Sequence, residues 1–331
     1  MVEKNRLVRK ILIVCIIGCS LCGAVVLGMR LFYHAFYYSA QKEFLIPELE
    51  EGFVPQGLTY CEEYDSYLIS GYICGAENAR ICVVKDEEYR VVSLMDEKRN
   101  ELISHSGAIA YSGNYVYLAG CDGMCYVFSL IELMEKQISS LQMLGSFETH
   151  NQASFCCVED NRLFVGEYYH KFKYSTDESH HRITPTGDEN HAVVTVFALD
   201  DVLPLGVSGR PEMALSITDR IQGMCFMERN AVMSASSVFQ GSQLYVYDWE
   251  KAMSEQEDVM KIGVYDVPLY YLDAGTLLDC IEILPKSEGI TVRDDKLYMI
   301  FESASERFRY GKLLGCEYAY SLPTEYFEIS H

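Results

Sequence analysis

The sequence predicts an all-β fold, a five-bladed β-propeller of four-stranded antiparallel blades, preceded by one N-terminal transmembrane helix. Three observations carry this. A hairpin pattern recurs five times in order, a third-strand pattern follows each copy, and an apolar run of membrane-spanning length stands ahead of them all. The clearest copy is "SEGITVRDDKLYMIFESAS", Ser287 to Ser305: a short apolar strand, the polar turn Arg293-Asp294-Asp295, then a strand of alternating large apolar residues. Weaker copies are "PQGLTYCEEYDSYLISGY", "HSGAIAYSGNYVYLAG", "NQASFCCVEDNRLFVGEYY" and "IQGMCFMERNAVMSASS". Aligned on a small residue they fall at Gly57, Gly107, Ala153, Gly223 and Gly289, separated by 50, 46, 70 and 66 residues. The third strands are "RICVVKD", "CYVFSL", "VTVFAL", "LYVYDW" and "CEYAYSL", with fourth runs such as "RVVSL", "MALSI" and "KIGVYDV" behind them. One such sheet cannot bury both faces, so the repeats are expected to stack radially and hide their edges against one another.

The elements follow in chain order. Residues 1–10 form a basic tail carrying Lys4, Arg6, Arg9 and Lys10. Residues 11–29, "ILIVCIIGCSLCGAVVLGM", are 19 residues without a charge, close to the ~20 a helix needs to cross a bilayer. Positive charge before the span and acidic sequence after it place the tail in the cytoplasm and the rest outside, a single-pass signal anchor of the cell membrane. A cleaved signal peptide would want a small-x-small site, which is missing. Ile16-Ile17-Gly18-Cys19 looks like a bacterial lipobox, but the apolar run continues ten residues past Cys19. Residues 30–51 are a juxtamembrane aromatic segment, "FYHAFYY", and a stalk; residues 52–331 are the propeller, closed either by a strand near Phe44 to Leu49, which is favoured, or by "EYFEI" alone.

Composition limits the partners. The chain has 27 basic and 48 acidic residues, net −21, and beyond residue 30 the balance is 22 against 47, or −25. Nucleic acid is excluded as a partner on that charge. Oligomeric state is not legible. Outside a cell the ten cysteines beyond the span would be expected to pair, yet most fall in strands where a small apolar residue serves. Cys74 with Cys82, and Cys121 with Cys125, flank loops, but spacing does not fix connectivity.

Function is expected at one end of the ring, where innermost strands begin and the connections from second to third strands arrive. Gln56, Ser106, Gln152, Gln222 and Glu288 are polar at all five strand starts and would ring the channel as a seat for a small ligand. Of the eight histidines, His105, His150, His170, His180, His181 and His191 fall in loops at that end. With Glu167, Glu288 and Glu302 they form a donor set for acid–base work or for a divalent cation such as calcium or zinc. The same loops are locally basic, with Lys171, Lys173, Arg182, Arg220, Arg307, Arg309 and Lys312, and guanidinium forks suit carboxylate or phosphate. No nucleophile elbow, P-loop, dinucleotide fingerprint or Ser-x-x-Lys motif occurs. The nearest thing to a catalytic pair is Glu288 and Glu302.

At its five hairpins the chain resembles extracytoplasmic bacterial β-propellers of the lactonase and NHL-like group. "EGITVRDDKLYMIFES" is also similar to blades of five-bladed relatives, the calcium-activated nucleotidases and plant-type glutaminyl cyclases. The resemblance spans roughly residues 52 to 329. In the nucleotidases, blade-start Glu and Ser residues surround a channel calcium. Ser106 and Glu288 match that usage, while Gln56, Gln152 and Gln222 depart from it. The reading is therefore a tethered module binding a small-molecule or cell-wall ligand, expected to be anionic, through Gln56, His105, Ser106, His150, Gln152, Glu167, His170, Arg220, Gln222 and Arg307. The alternative is a hydrolase or cyclase using Glu288, Glu302 and the loop histidines.

Overall fold

The computed structural model describes residues 2–86, 88–236, 241–254 and 258–327. Five antiparallel sheets form the predicted blades. Blade one holds Phe53–Cys61, Ser66–Ile73, Ala79–Lys85 and Glu88–Met95. Blade two holds Ala108–Ser112, Tyr115–Ala119, Met124–Ser129 and Gly145–Glu148. Blade three holds Phe155–Glu159, Arg162–Gly166, Ala192–Leu199 and Val207–Ile217. Blade four holds Ile221–Met227, Asn230–Ala235, Ser242–Asp248 and Leu277–Ile283. Blade five holds Ser287–Arg293, Lys296–Phe301 and Tyr318–Pro323, and the strand Gln41–Leu45 completes it from the N-terminal side.

The innermost strands touch in order and the fifth meets the first, so the ring is closed. The repeated small residues explain how closely they pack. A Cβ on Gly57 would come within 2.5 Å of the Ala108 Cα in blade two, and one on Gly289 within 2.2 Å of the Leu58 backbone nitrogen in blade one. With only five blades the inner strands converge tightly, and backbone must lie against backbone.

Two expectations need correcting. The closing strand is Gln41–Leu45, not Phe44 to Leu49, because after Leu45 the segment Ile46-Pro47 turns inward and Ile46 and Leu49 are buried in the core. "KIGVYDV" is not blade four's fourth strand, which is Leu277–Ile283. It belongs to a hairpin, Asp258–Ile262 with Tyr265–Tyr271, whose second strand pairs in parallel with the outer strand of blade three. Ser140–Gln142 of blade two likewise adds in parallel to the outer strand of blade one. Both additions cover an exposed edge that would otherwise present unpaired backbone groups. The cysteine pairing that spacing left open is resolved: the ten cysteines from Cys61 to Cys316 are free thiols, and Cys61, Cys82, Cys125, Cys156, Cys225 and Cys316 are buried as small core residues.

Ahead of the ring, α1 (Val2–Phe32) is one continuous helix followed by α2 (His34–Ser39). Among the described residues no helix is long and apolar enough to cross a membrane. The side chains of residues 2–11 and of Val14, Cys15, Cys19, Leu21 and Cys22 lie outside the described residues, and with them the lipobox cysteine. Phe36 of α2 is buried between Phe301 and Tyr320, with ring centroids 6.2 and 5.3 Å away. This seats the α1–α2 corner in the core of blade five.

Candidate functional site

Each innermost strand begins where its neighbour ends: Phe155 pairs with Gly166, Ile221 with Ala235 and Ser287 with Phe301. The connections leaving the second strands, including 167–191 and 302–317, therefore gather around one mouth of the channel. Glu288 sits at its centre and is 1% exposed. Its carboxyl lies alongside Gln222 of blade four and Glu302 of blade five, and acts electrostatically on Tyr72 of blade one, Cys121 of blade two and Tyr168 of blade three. A side chain that reaches groups from all five blades is on or near the axis.

Burial first, and the second carboxyl of Glu302 next, push the Glu288 carboxyl well above the usual carboxylate range. It therefore keeps its proton to higher pH than an ordinary carboxyl does. Its Oε1 finds no hydrogen-bond partner among the described residues. Glu302 is treated differently. The Lys286 ammonium donates to its Oε1, and the Gln56 amide donates to its Oε2 at 3.3 Å and to the Pro55 carbonyl at 2.9 Å. Lys286 is itself buried, with its nitrogen 4.0 Å over the Phe308 ring. Beside this pair, Arg307 donates to the Tyr72 hydroxyl at 2.6 Å. Two adjacent carboxyls thus sit in two environments, one buried with an oxygen that no donor reaches among the described residues and one bonded to an ammonium and an amide.

The other expected residues distribute around this centre. His105 lies 4.7 Å from the Tyr72 ring and pairs with Glu77 at 3.2 Å. Ser106 is wholly buried at φ 51, its N–H donating to the Ser104 hydroxyl. His150, Gln152 and Glu167 are brought together elsewhere, along a cleft of about 680 Å³ with His180, Arg182 and Lys261. There the buried Glu167 accepts from the Val193 N–H at 3.1 Å and the Gln152 N–H at 3.3 Å, and pairs with His180 Nδ1 at 3.0 Å. His191 pairs with Asp219 and stacks on Tyr169 at 4.5 Å, with the His181 ring edge-on at 4.9 Å. His170 folds a tight loop with Tyr174, their backbone bonds running both ways. The histidines therefore do not converge on Glu288. From the 167–191 connection it is Tyr168 that reaches the axis and Tyr174 that approaches Arg307. Ser234 donates to Ser287, and Ser237 lies outside the described residues.

Among the described residues no group of three or more His, Cys, Asp or Glu side chains is arranged to hold a metal ion. Lys286 is the member that sequence reasoning did not single out; Tyr72 and Tyr168 fall where second strands end, among the positions expected to face this mouth. Lys286 had a signal, a cation two residues ahead of the polar strand start.

No family model matches the chain, and no curated protein does. Solved structures to which it is similar include the glutaminyl cyclase of Myxococcus xanthus, at 10% identity over 78% of this chain and 88% of that one, TM-score 0.41. BamB from Moraxella catarrhalis is similar at 10% identity over 82% and 85%, TM-score 0.35. A nidogen/laminin complex is similar at 10% identity over 76% and 73%, TM-score 0.40. The likeness is one of fold, that of the β-propeller.

Proposed function

We propose that the chain is a membrane-tethered, extracytoplasmic propeller that seats an anionic ligand, a small molecule or part of a cell-wall polymer, at the mouth around Glu288. One observation carries this. Lys286 is matched to Glu302, and the guanidinium groups of Arg307 and Arg220 at the mouth end have no acidic ion-pair partner among the described residues, in a protein of net charge −21. Guanidinium groups without an ion-pair partner at the mouth end suit a carboxylate or phosphate. The tether is supported by the charge asymmetry about residues 11–29 and by exposed apolar side chains on α1, among them Leu12, Ile13, Ile16, Ile17, Val25 and Leu27.

A second reading, a hydrolase or cyclase, is favoured by the unpartnered Oε1 of Glu288. A buried carboxyl that holds its proton more tightly than usual, beside one bonded to an ammonium, is equipped to act as a general acid. Thermal-shift titration of the propeller with carboxylate- and phosphate-bearing compounds tests the leading reading. Stabilisation of ~2.7 kcal/mol is expected at a hundredfold excess over Kd, and Arg307→Ala should abolish it. Equal stabilisation by neutral analogues would overturn the anionic seat. Ligand turnover that Glu288→Gln abolishes would establish the enzyme.

A further inference from the structure

We propose that the end of the ring bearing the Glu288 mouth is the end that lies on the membrane, with the loop tip Lys171-Phe172-Lys173 dipping into an anionic lipid surface. This rests on the anchor reading of α1 and extends it to the orientation of the propeller.

The first argument is where the helix leaves the ring. Arg30, at the end of α1, donates through Nη2 and Nε to the Leu313 carbonyl at 3.2 and 3.3 Å, and the Tyr37 hydroxyl donates to the Leu314 carbonyl at 2.7 Å. Residues 313 and 314 belong to the connection between the second and third strands of blade five, which is the mouth end. Met29, Phe32 and Tyr33 face Arg220 and Ser236 of blade four across a cleft of about 590 Å³, again at the mouth end. With Phe36 locked into the blade-five core, the joint between helix and ring is fixed. A bilayer holding α1 therefore borders this end and not the opposite one.

The second argument is independent of the helix. Phe172 is 86% exposed at the tip of the His170–Tyr174 loop, which rises from the mouth end of blade three. An aromatic ring that exposed, between two lysines, is costly in water and suited to a membrane interface, where the ring sits at the headgroup boundary and the ammoniums meet lipid phosphates. Leu313 is also exposed at this end, next to Lys312. Lys312 is matched to Glu50, but Lys171 and Lys173 have no ion-pair partner among the described residues, so the charge at the loop tip opposes the sign of the whole protein, as binding to an anionic lipid surface requires.

The test uses the full-length chain in phosphatidylglycerol-containing vesicles, with bromine-labelled lipids as quenchers. The protein has one tryptophan, Trp249, which follows the third strand of blade four and so lies at the opposite end of the ring. It is an internal reference. In Phe172→Trp the added emission should be blue-shifted and quenched by the brominated lipids, while that of Trp249 is not. Adding Lys171→Glu and Lys173→Glu to that variant should weaken the quenching. If the emission added by Phe172→Trp stays solvent-like, in protein retained by the vesicles after a high-pH wash, the orientation is overturned while the anchor stands. Quenching of Trp249 alone would place the opposite end on the membrane. Loss of retention in the wash would overturn the anchor itself, and the proposal with it.

Discussion

Glu288 makes a prediction about pH. Its folded-state pKa is raised by burial and by Glu302, so the stability it contributes is complete below the ordinary carboxylate range and is lost as pH rises through the raised value. Melting curves should therefore show Glu288→Gln gaining on the wild type as pH increases and converging with it in acid; a variant that melts lower throughout would mean the carboxyl is held ionised. Lys286→Met is expected to act in the opposite direction. Removing the ammonium leaves Glu302 buried without its counter-charge, at a cost of ~3 kcal/mol in denaturant titrations. In the sequence, Glu288 and Glu302 stood out because a repeat places equivalent positions at one mouth. The ammonium between them was illegible because nothing in a repeat says which of several nearby cations folds inward. The histidines misled for the related reason that loop residues share an end of the ring without sharing a cavity: His180 and His181 satisfy Glu167 and Thr176 within their own connection, and His191 pairs with Asp219 in the link into blade four.

Among the elements, the innermost strands are the least tolerant. Gly289→Ala forces a methyl group into the Leu58 backbone, and overpacking of that kind costs ~1–3 kcal/mol. Gly209→Ala, with open space around it, should change the midpoint of chemical unfolding very little. Tyr298→Ala, in the second strand of blade five against Tyr67, should cost ~3 kcal/mol or more by cavity formation. The closing strand is tested by length. A chain beginning at Tyr33 keeps Phe36 and Gln41–Leu45 and should unfold cooperatively; one beginning at Ile46 leaves the outer edge of blade five bare and should lose that transition. Hairpins were legible because alternation and turn chemistry are local. The parallel additions were not, since an apolar run does not record which neighbouring edge it covers.

For the whole molecule, orientation is tested at the C-terminus. A tag following His331 should react with a membrane-impermeant reagent on intact cells, and its protection would reverse the topology. The parallel additions have a further consequence, for the order in which the ring comes apart. Ser140–Gln142 fastens blade two to blade one, and Tyr265–Tyr271 fastens blade four to blade three, so that four of the five blades are linked in couples by main-chain hydrogen bonds. Blade five has no such link among the described residues and depends on Gln41–Leu45. Native-state hydrogen exchange should resolve this as unequal opening units. The amides of Tyr318–Pro323 that face the closing strand are expected to exchange first. Those of Glu88–Met95 and Ser140–Gln142 should follow later and together, as one cooperative unit drawn from two different repeats.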